Sequence, residues 1–172
     1  MQTLVFSDRR SSGAYAVTDT NGAVVANIRT GRGSRFVAED ATGATICTGS
    51  AGRWGMSNVW RVTDAAGAPL LEVRKHTFKP IADVRRERGG ELTVEGSIWK
   101  RDFRVRAGDE VVLSAAPQTP TFSLRPYEYA VQASDALKLD EILAVVQIWR
   151  AVRKRDDAAG AVAATTTVIA SG

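Results

Sequence analysis

The sequence predicts an all-β fold: a closed antiparallel barrel of about twelve strands around one hydrophobic α-helix near the C-terminus. Three observations predict it. Short alternating or β-branched runs recur as far as residue 133, and an Asp-x-x-Gly signal is repeated between them. Beyond that point the period becomes helical, and Ile142 to Trp149 are apolar nearly all round.

The hairpin signal has three good copies. Tyr15-Ala-Val-Thr-Asp19-Thr-Asn-Gly22-Ala-Val-Val25 is the first, and Phe36-Val-Ala-Glu-Asp40-Ala-Thr-Gly43-Ala-Thr-Ile46 is the second. Trp60-Arg-Val-Thr-Asp64-Ala-Ala-Gly67-Ala-Pro-Leu70 is the third. Aspartate opens a turn by accepting nearby backbone N–H groups, and glycine supplies the residue with positive φ. Phe103-Arg-Val-Arg-Ala-Gly108-Asp-Glu-Val-Val112 is a degenerate fourth copy, with Phe103 and Val105 on one face and Arg104 and Arg106 on the other. Strands are expected near 3–7, 14–19, 23–28, 35–39, 44–48, 58–63 and 69–75. Further strands are expected near 80–86, 91–96, 102–106, 110–115, 120–124 and 127–133.

Ser134 or Asp135 can cap the helix that follows, expected over 135–155. Its apolar positions are Leu137, Leu139, Ile142, Leu143, Val145, Val146, Ile148, Trp149 and Val152. Arg150, Arg153, Lys154 and Arg155 gather at its far end, where cations suit the helix dipole. Residues 142–149 rise only about 12 Å, far short of a bilayer, so burial in protein is expected. Eight strands make a barrel filled by its own side chains, and twelve leave room for a helix. Residues 1–155 therefore read as one domain, and the Ala/Thr-rich stretch 156–172 as a flexible extension, or else a last strand or short helix.

At 172 residues, with 44% hydrophobic and 24% charged, the chain can bury a proper core and is not a disordered polymer. Its one cysteine, Cys47, allows no intrachain disulfide. The opening MQTLVFSDRR lacks the pattern of a signal peptide, and no run of apolar residues suits a membrane span. A soluble, cytoplasmic domain is expected.

Catalytic chemistry finds little support. A Cys–His nucleophile pair could only be Cys47 with His76, and Cys47 sits in the apolar run Thr45-Ile-Cys-Thr. One His and one Cys do not make a zinc site, and the Asp-x-x-Gly copies are explained by turns without calcium. Gly31-Arg-Gly33 with Ser34 lacks both the spacing of a phosphate loop and a following helix. No catalytic residue, metal or cofactor is expected, and the chain does not read as an enzyme.

Charge placement is more informative. Residues 72–106 hold ten Lys/Arg and six acids, a net +4, whereas the remainder balances thirteen against thirteen. Arg74, Lys75, Lys79, Arg85, Arg86, Arg88, Lys100 and Arg101, with Trp99 beside the last two, could converge on one side of a barrel. The plain alternative is a solvated wall with interspersed acids such as Glu87 and Asp102.

The hairpins, together with Leu92-Thr-Val-Glu-Gly96, Asp102-Phe-Arg-Val105, Tyr127-Glu-Tyr-Ala-Val131 and Leu139-Asp-Glu-Ile-Leu-Ala-Val-Val146, resemble a known pattern. They are similar to the LURP-one-related proteins, the phospholipid scramblases and, more distantly, the tubby C-terminal domain, over about residues 1–155. The resemblance implies a twelve-stranded barrel closed around a C-terminal hydrophobic helix. In those families tubby-like domains bind phosphoinositide head groups through Lys/Arg, and scramblases are membrane-associated and respond to calcium. This chain lacks the scramblase proline-rich and cysteine-rich regions. Only Asp135, Asp140 and Glu141 remain of an acidic loop before the helix, without the alternating oxygens of a calcium site.

The expected function is a non-catalytic barrel module in the cytoplasm, or peripheral at a membrane, that docks on an anionic phospholipid surface or a protein partner. The basic residues named above, with Trp99, are its candidate contacts. Nucleic-acid binding is the alternative, motivated by Trp99 and Phe103 interleaved with Lys100, Arg101 and Arg104. A purely structural scaffold is another.

Overall fold

The three Asp-x-x-Gly signals make three turns by the same chemistry. Asp19 Oδ1 accepts hydrogen bonds from the backbone N–H of Asn21 and Ala23, at 2.8 and 2.9 Å. Asp40 Oδ1 does so for Thr42 and Ala44, and Asp64 Oδ1 for Ala66 and Ala68. Gly22, Gly43 and Gly67 close these turns at φ of 82°, 89° and 81°, a region that any side chain resists. A register shift precedes each aspartate, the bulge that accompanies a short hairpin loop of this kind.

The computed structural model describes residues 1–8, 13–52, 58–77, 79–96, 102–118 and 127–169, the stretch from 156 by its backbone alone. Its strands are β1 (Gln2–Asp8), β2 (Ala14–Thr18), β3 (Val24–Thr30), β4 (Phe36–Glu39), β5 (Thr45–Ala51) and β6 (Val59–Asp64). They continue as β7 (Pro69–Lys75), β8 (Ile81–Arg86), β9 (Gly89–Gly96), β10 (Phe103–Ala107), β11 (Glu110–Pro117) and β12 (Tyr127–Ala133). Each pairs antiparallel with the next, and β1 closes on β12 from Gln2↔Ala133 to Asp8↔Tyr127. The sheet is a closed barrel without the unpaired edges that invite aggregation. The expected strand near 120–124 lies outside the described residues. Every other expected strand is present, its bounds within about three residues.

One helix, α1 (Leu139–Ile169), completes the fold. All eight residues from Ile142 to Trp149 are buried, as the apolar run predicted. They meet the inward-facing side chains of the strands, among them Leu4, Phe6, Val17, Ile28, Val84 and Leu113. Each such large apolar side chain withdrawn from water contributes about 1.5–3 kcal/mol. The fit is close at two glycines. A Cβ on Gly96 would overlap the Trp149 indole, and one on Gly49 would overlap the Phe36 ring. Phe103 meets Trp149 with ring centroids 5.8 Å apart.

The helix bounds differ from the expected 135–155 at both ends. Neither Ser134 nor Asp135 caps α1, because residues 134–138 form a turn in which Leu137 N–H donates to the Ser134 carbonyl at 3.2 Å. Glu141 does the capping instead: its carboxylate accepts the Lys138 backbone N–H at 3.0 Å, one half of a capping box. At the other end the helical backbone runs through 156–169, the stretch for which a flexible extension or else a last strand or short helix was expected. The alanines of that stretch favour helix.

Candidate functional site

An up-and-down barrel places alternate connections at opposite rims. The turns after β2, β4, β6, β8 and β10, with the link from β12 into α1, share one rim, which we term the turn rim. The connections after β3 and β7 open onto the other, from which α1 emerges, the exit rim.

The turn rim is acidic. Asp19, Asp40, Glu87, Asp109, Glu110 and Asp135 lie in or beside its turns, and Asp64, Asp140 and Glu141 sit further in. Basic groups there among the described residues are Arg86, Arg88, Lys138, Arg106, which donates to the Asp109 carbonyl at 2.9 Å, and the N-terminal ammonium, 2.9 Å from Asp135. Arg86 and Arg88 are committed to the start of the helix. Arg86 Nη1 donates to the Ala136 carbonyl at 3.2 Å and lies 3.7 Å from the Glu141 carboxylate, with the two side chains only 13% and 4% exposed. Arg88 bridges Asp64 at 3.1 Å and Asp140 at 3.3 Å. A carboxylate as deep as Glu141 needs such partners, because an unpaired buried charge is strongly destabilising. The Asp40 carboxyl is held below its ordinary range by the Thr42 hydroxyl first and then by backbone N–H groups.

The barrel wall is a checkerboard. In register across β6 to β9 lie Arg61, Glu72, Arg85 and Glu91; one step along lie Arg74 and Asp83. Arg61 and Arg74 approach Glu72 at 3.1 and 3.7 Å, Arg106 approaches Glu95 at 3.4 Å, and His76 bonds Asp83 at 2.9 Å. Charges in such density on the outer wall face water, since a lipid-facing strand carries apolar side chains outward. Among the described residues, no helix is long and apolar enough to cross a membrane.

The exit rim is basic. Arg32 and Arg35 are exposed in the connection between β3 and β4, Lys75 ends β7, and exposed Lys79 lies just beyond it. Arg150, Arg153, Lys154 and Arg155 occupy the turns of α1 that leave the barrel. Asp83, Glu95, Asp102 and Glu128 are the carboxylates with described side chains at or beside this rim, fewer than the cations there. Two arginines stack on aromatic rings: Arg150 lies 4.3 Å above Tyr15 and 5.6 Å from Tyr129, and Arg155 lies 5.5 Å above Trp60. These contacts hold long side chains that would otherwise wander. The Tyr15 hydroxyl donates to Gln147 of the buried helix, which ties the rim to the plug.

The structure therefore divides the basic segment rather than gathering it. Lys75 and Lys79 belong to the exit rim, Arg74 and Arg85 to the alternating wall, and Arg86 and Arg88 to the turn rim. Trp99, Lys100 and Arg101 lie outside the described residues. Two elementary signals point to the division. Ala82 and Val84 face inward, so the period of two turns Arg86 inward as well. The basic cluster 150–155, read for its helix dipole, marks the rim that the local segment 72–106 obscured.

Cys47 and His76 do not form a nucleophile pair. Cys47 is fully buried near the turn rim, its Sγ 3.8 Å from the Asp140 carbonyl, whereas His76 is exposed near the exit rim. Burial, with the Asp140 charge, pushes the Cys47 thiol up to about 12. No group of three or more His, Cys, Asp or Glu is placed to hold a metal ion among the described residues. Gly31-Arg-Gly33 forms part of a short 3-10 turn, Arg32–Ser34, between strands.

The family profile of the LURP-one-related proteins matches residues 2–149. The chain belongs to the LURP-one-related family. The match ends at Trp149, where α1 leaves the barrel, so this LURP-one-related domain is the barrel with its buried plug. An X-ray structure of a protein from Arabidopsis thaliana is similar to it, with a TM-score of 0.63 at 19% identity. That likeness covers 88% of this chain and 91% of the other, and it shows the shared fold. No curated protein matches the sequence.

Proposed function

We propose that this LURP-one-related barrel is a non-catalytic binding module that docks end-on, by its exit rim, on an anionic phospholipid surface. The observation that carries the reading is the segregation of charge: basic residues collect around the emerging helix, and carboxylates collect at the opposite rim. Lys75, Lys79, Arg32, Arg35 and Lys154 supply the contact. Trp99, Lys100 and Arg101, which lie outside the described residues, are proposed with them from the sequence alone. Arg86 and Arg88 leave the set, because their guanidinium groups hold the start of the helix.

Each Lys or Arg near an anionic leaflet contributes about 1 kcal/mol, so five such residues give ample gross attraction to localise the domain. The acidic rim, turned away, is repelled and fixes the orientation. Cosedimentation with vesicles tests this directly. Binding to phosphatidylcholine with phosphatidylserine is expected, little to phosphatidylcholine alone, and the bound fraction falls as salt screens the charges. Equal binding to both vesicle types, or none to either, overturns the reading.

A further inference from the structure

We infer that the helical extension Ala158–Ile169 is the membrane-inserting part of this domain, entering one leaflet when the exit rim docks. The inference rests on the docking proposed above and adds to it a second, hydrophobic element.

Geometry supplies the argument. The helix is continuous from the barrel interior to Ile169. Fourteen residues beyond Arg155 rise about 20 Å, so α1 stands well clear of the exit rim. A flat surface cannot meet that rim while water fills the path of the helix. The extension must enter the surface or bend aside. Its sequence decides between these, since no charged residue occurs from Ala158 to the end of the chain. Asp156 and Asp157 stand just before it, at the level where Arg153, Lys154 and Arg155 would meet head groups. The order along the helix is three cations, two carboxylates and then only uncharged residues, so the charged turn stays at the surface and the uncharged stretch lies beyond it. Twelve helical residues rise about 18 Å, enough for one leaflet and too short for a hydrocarbon core of about 30 Å.

A helix is also the conformation that lipid demands. Except for the carbonyls of the last turn, every backbone N–H and C=O within it is satisfied by the helix, which an irregular tail cannot achieve in hydrocarbon.

The test uses the full chain with one new cysteine, since Cys47 is buried and escapes labelling. Ala164→Cys carries an environment-sensitive fluorophore, and Ala41→Cys, exposed at the turn rim, is the control. With phosphatidylserine-containing vesicles, the label at 164 is expected to shift to the blue and to be quenched by lipids brominated on their acyl chains. The label at 41 stays unchanged. Val162→Asp combined with Ile169→Asp weakens vesicle affinity by about tenfold, because charge is costly at that depth. If labelled protein sediments with vesicles while position 164 keeps its aqueous emission, insertion is overturned and docking stands. If no variant sediments, the docking reading falls and insertion falls with it.

Discussion

The two rims are built from the same twelve strands, yet they solve opposite problems. At the turn rim the aspartates open tight turns and Glu141, Asp140 and Asp64 receive Arg86 and Arg88, so polar groups there answer one another inside the chain. At the exit rim the helix leaves, arginines lie on tyrosine and tryptophan faces, and cations outnumber carboxylates among the described side chains. The contrast teaches that a barrel can reserve one end for holding its plug and give the other to encounter. The helix is common to both, clamped where it begins and extended where it emerges.

Arg86→Ala should break the clamp most severely. It leaves Glu141 buried without its guanidinium, at a cost of about 3–5 kcal/mol in chemical denaturation. Vesicle binding by the folded fraction should be unchanged. A loss under about 1 kcal/mol would mean that water reaches Glu141 and that the turn rim is no clamp. The next effect is a pH dependence. Cys47 is a neutral thiol in the fold, and its folded pKa stands above the ordinary value. Its contribution is therefore fully present below the ordinary thiol pKa of 9.0 and is lost as pH rises toward about 12. Thiol reagents should accordingly react slowly with native protein at mildly alkaline pH and quickly once it is unfolded. Rapid native labelling would contradict the burial of that site.

Arg88→Ala sharpens the comparison from within the same rim. Its side chain is 44% exposed, so water screens both of its bridges and the expected loss is below about 1 kcal/mol. The smallest effect on stability belongs to the exit rim. Arg32→Glu with Arg35→Glu should shift the unfolding midpoint hardly at all, within about 0.5 kcal/mol, yet reduce binding to anionic vesicles markedly. A large stability loss there, with binding intact, would invert the division of labour.

The strands were legible because their signals are local. Asp19, Asp40 and Asp64 each act on backbone two and four residues ahead, and alternation such as Phe103-Arg-Val105 fixes inside and outside without knowledge of any partner. The plug was legible because Ile142–Trp149 is apolar all round and too short for a bilayer. The clamp was hidden because Arg86 and Glu141 lie far apart in sequence and meet only once the barrel has closed. The basic segment misled for the same reason: neighbours such as Arg85 and Arg86 stand on opposite sides of one strand. The helix cap was misplaced because Ser134 and Asp135 suit a turn as readily as a cap.

Closure carries a consequence for how the chain must assemble. Gln2 pairs with Ala133, and the plug that fills the lumen follows later still. During synthesis the inward faces of the earliest strands, Leu4, Phe6 and Val17 among them, are made long before the helix that covers them. Pairings of such long range are slow to form, so a nascent chain stalled before residue 139 holds a nearly complete sheet around a vacant middle. Synthesis of the helix is what turns an adhesive intermediate into a filled barrel.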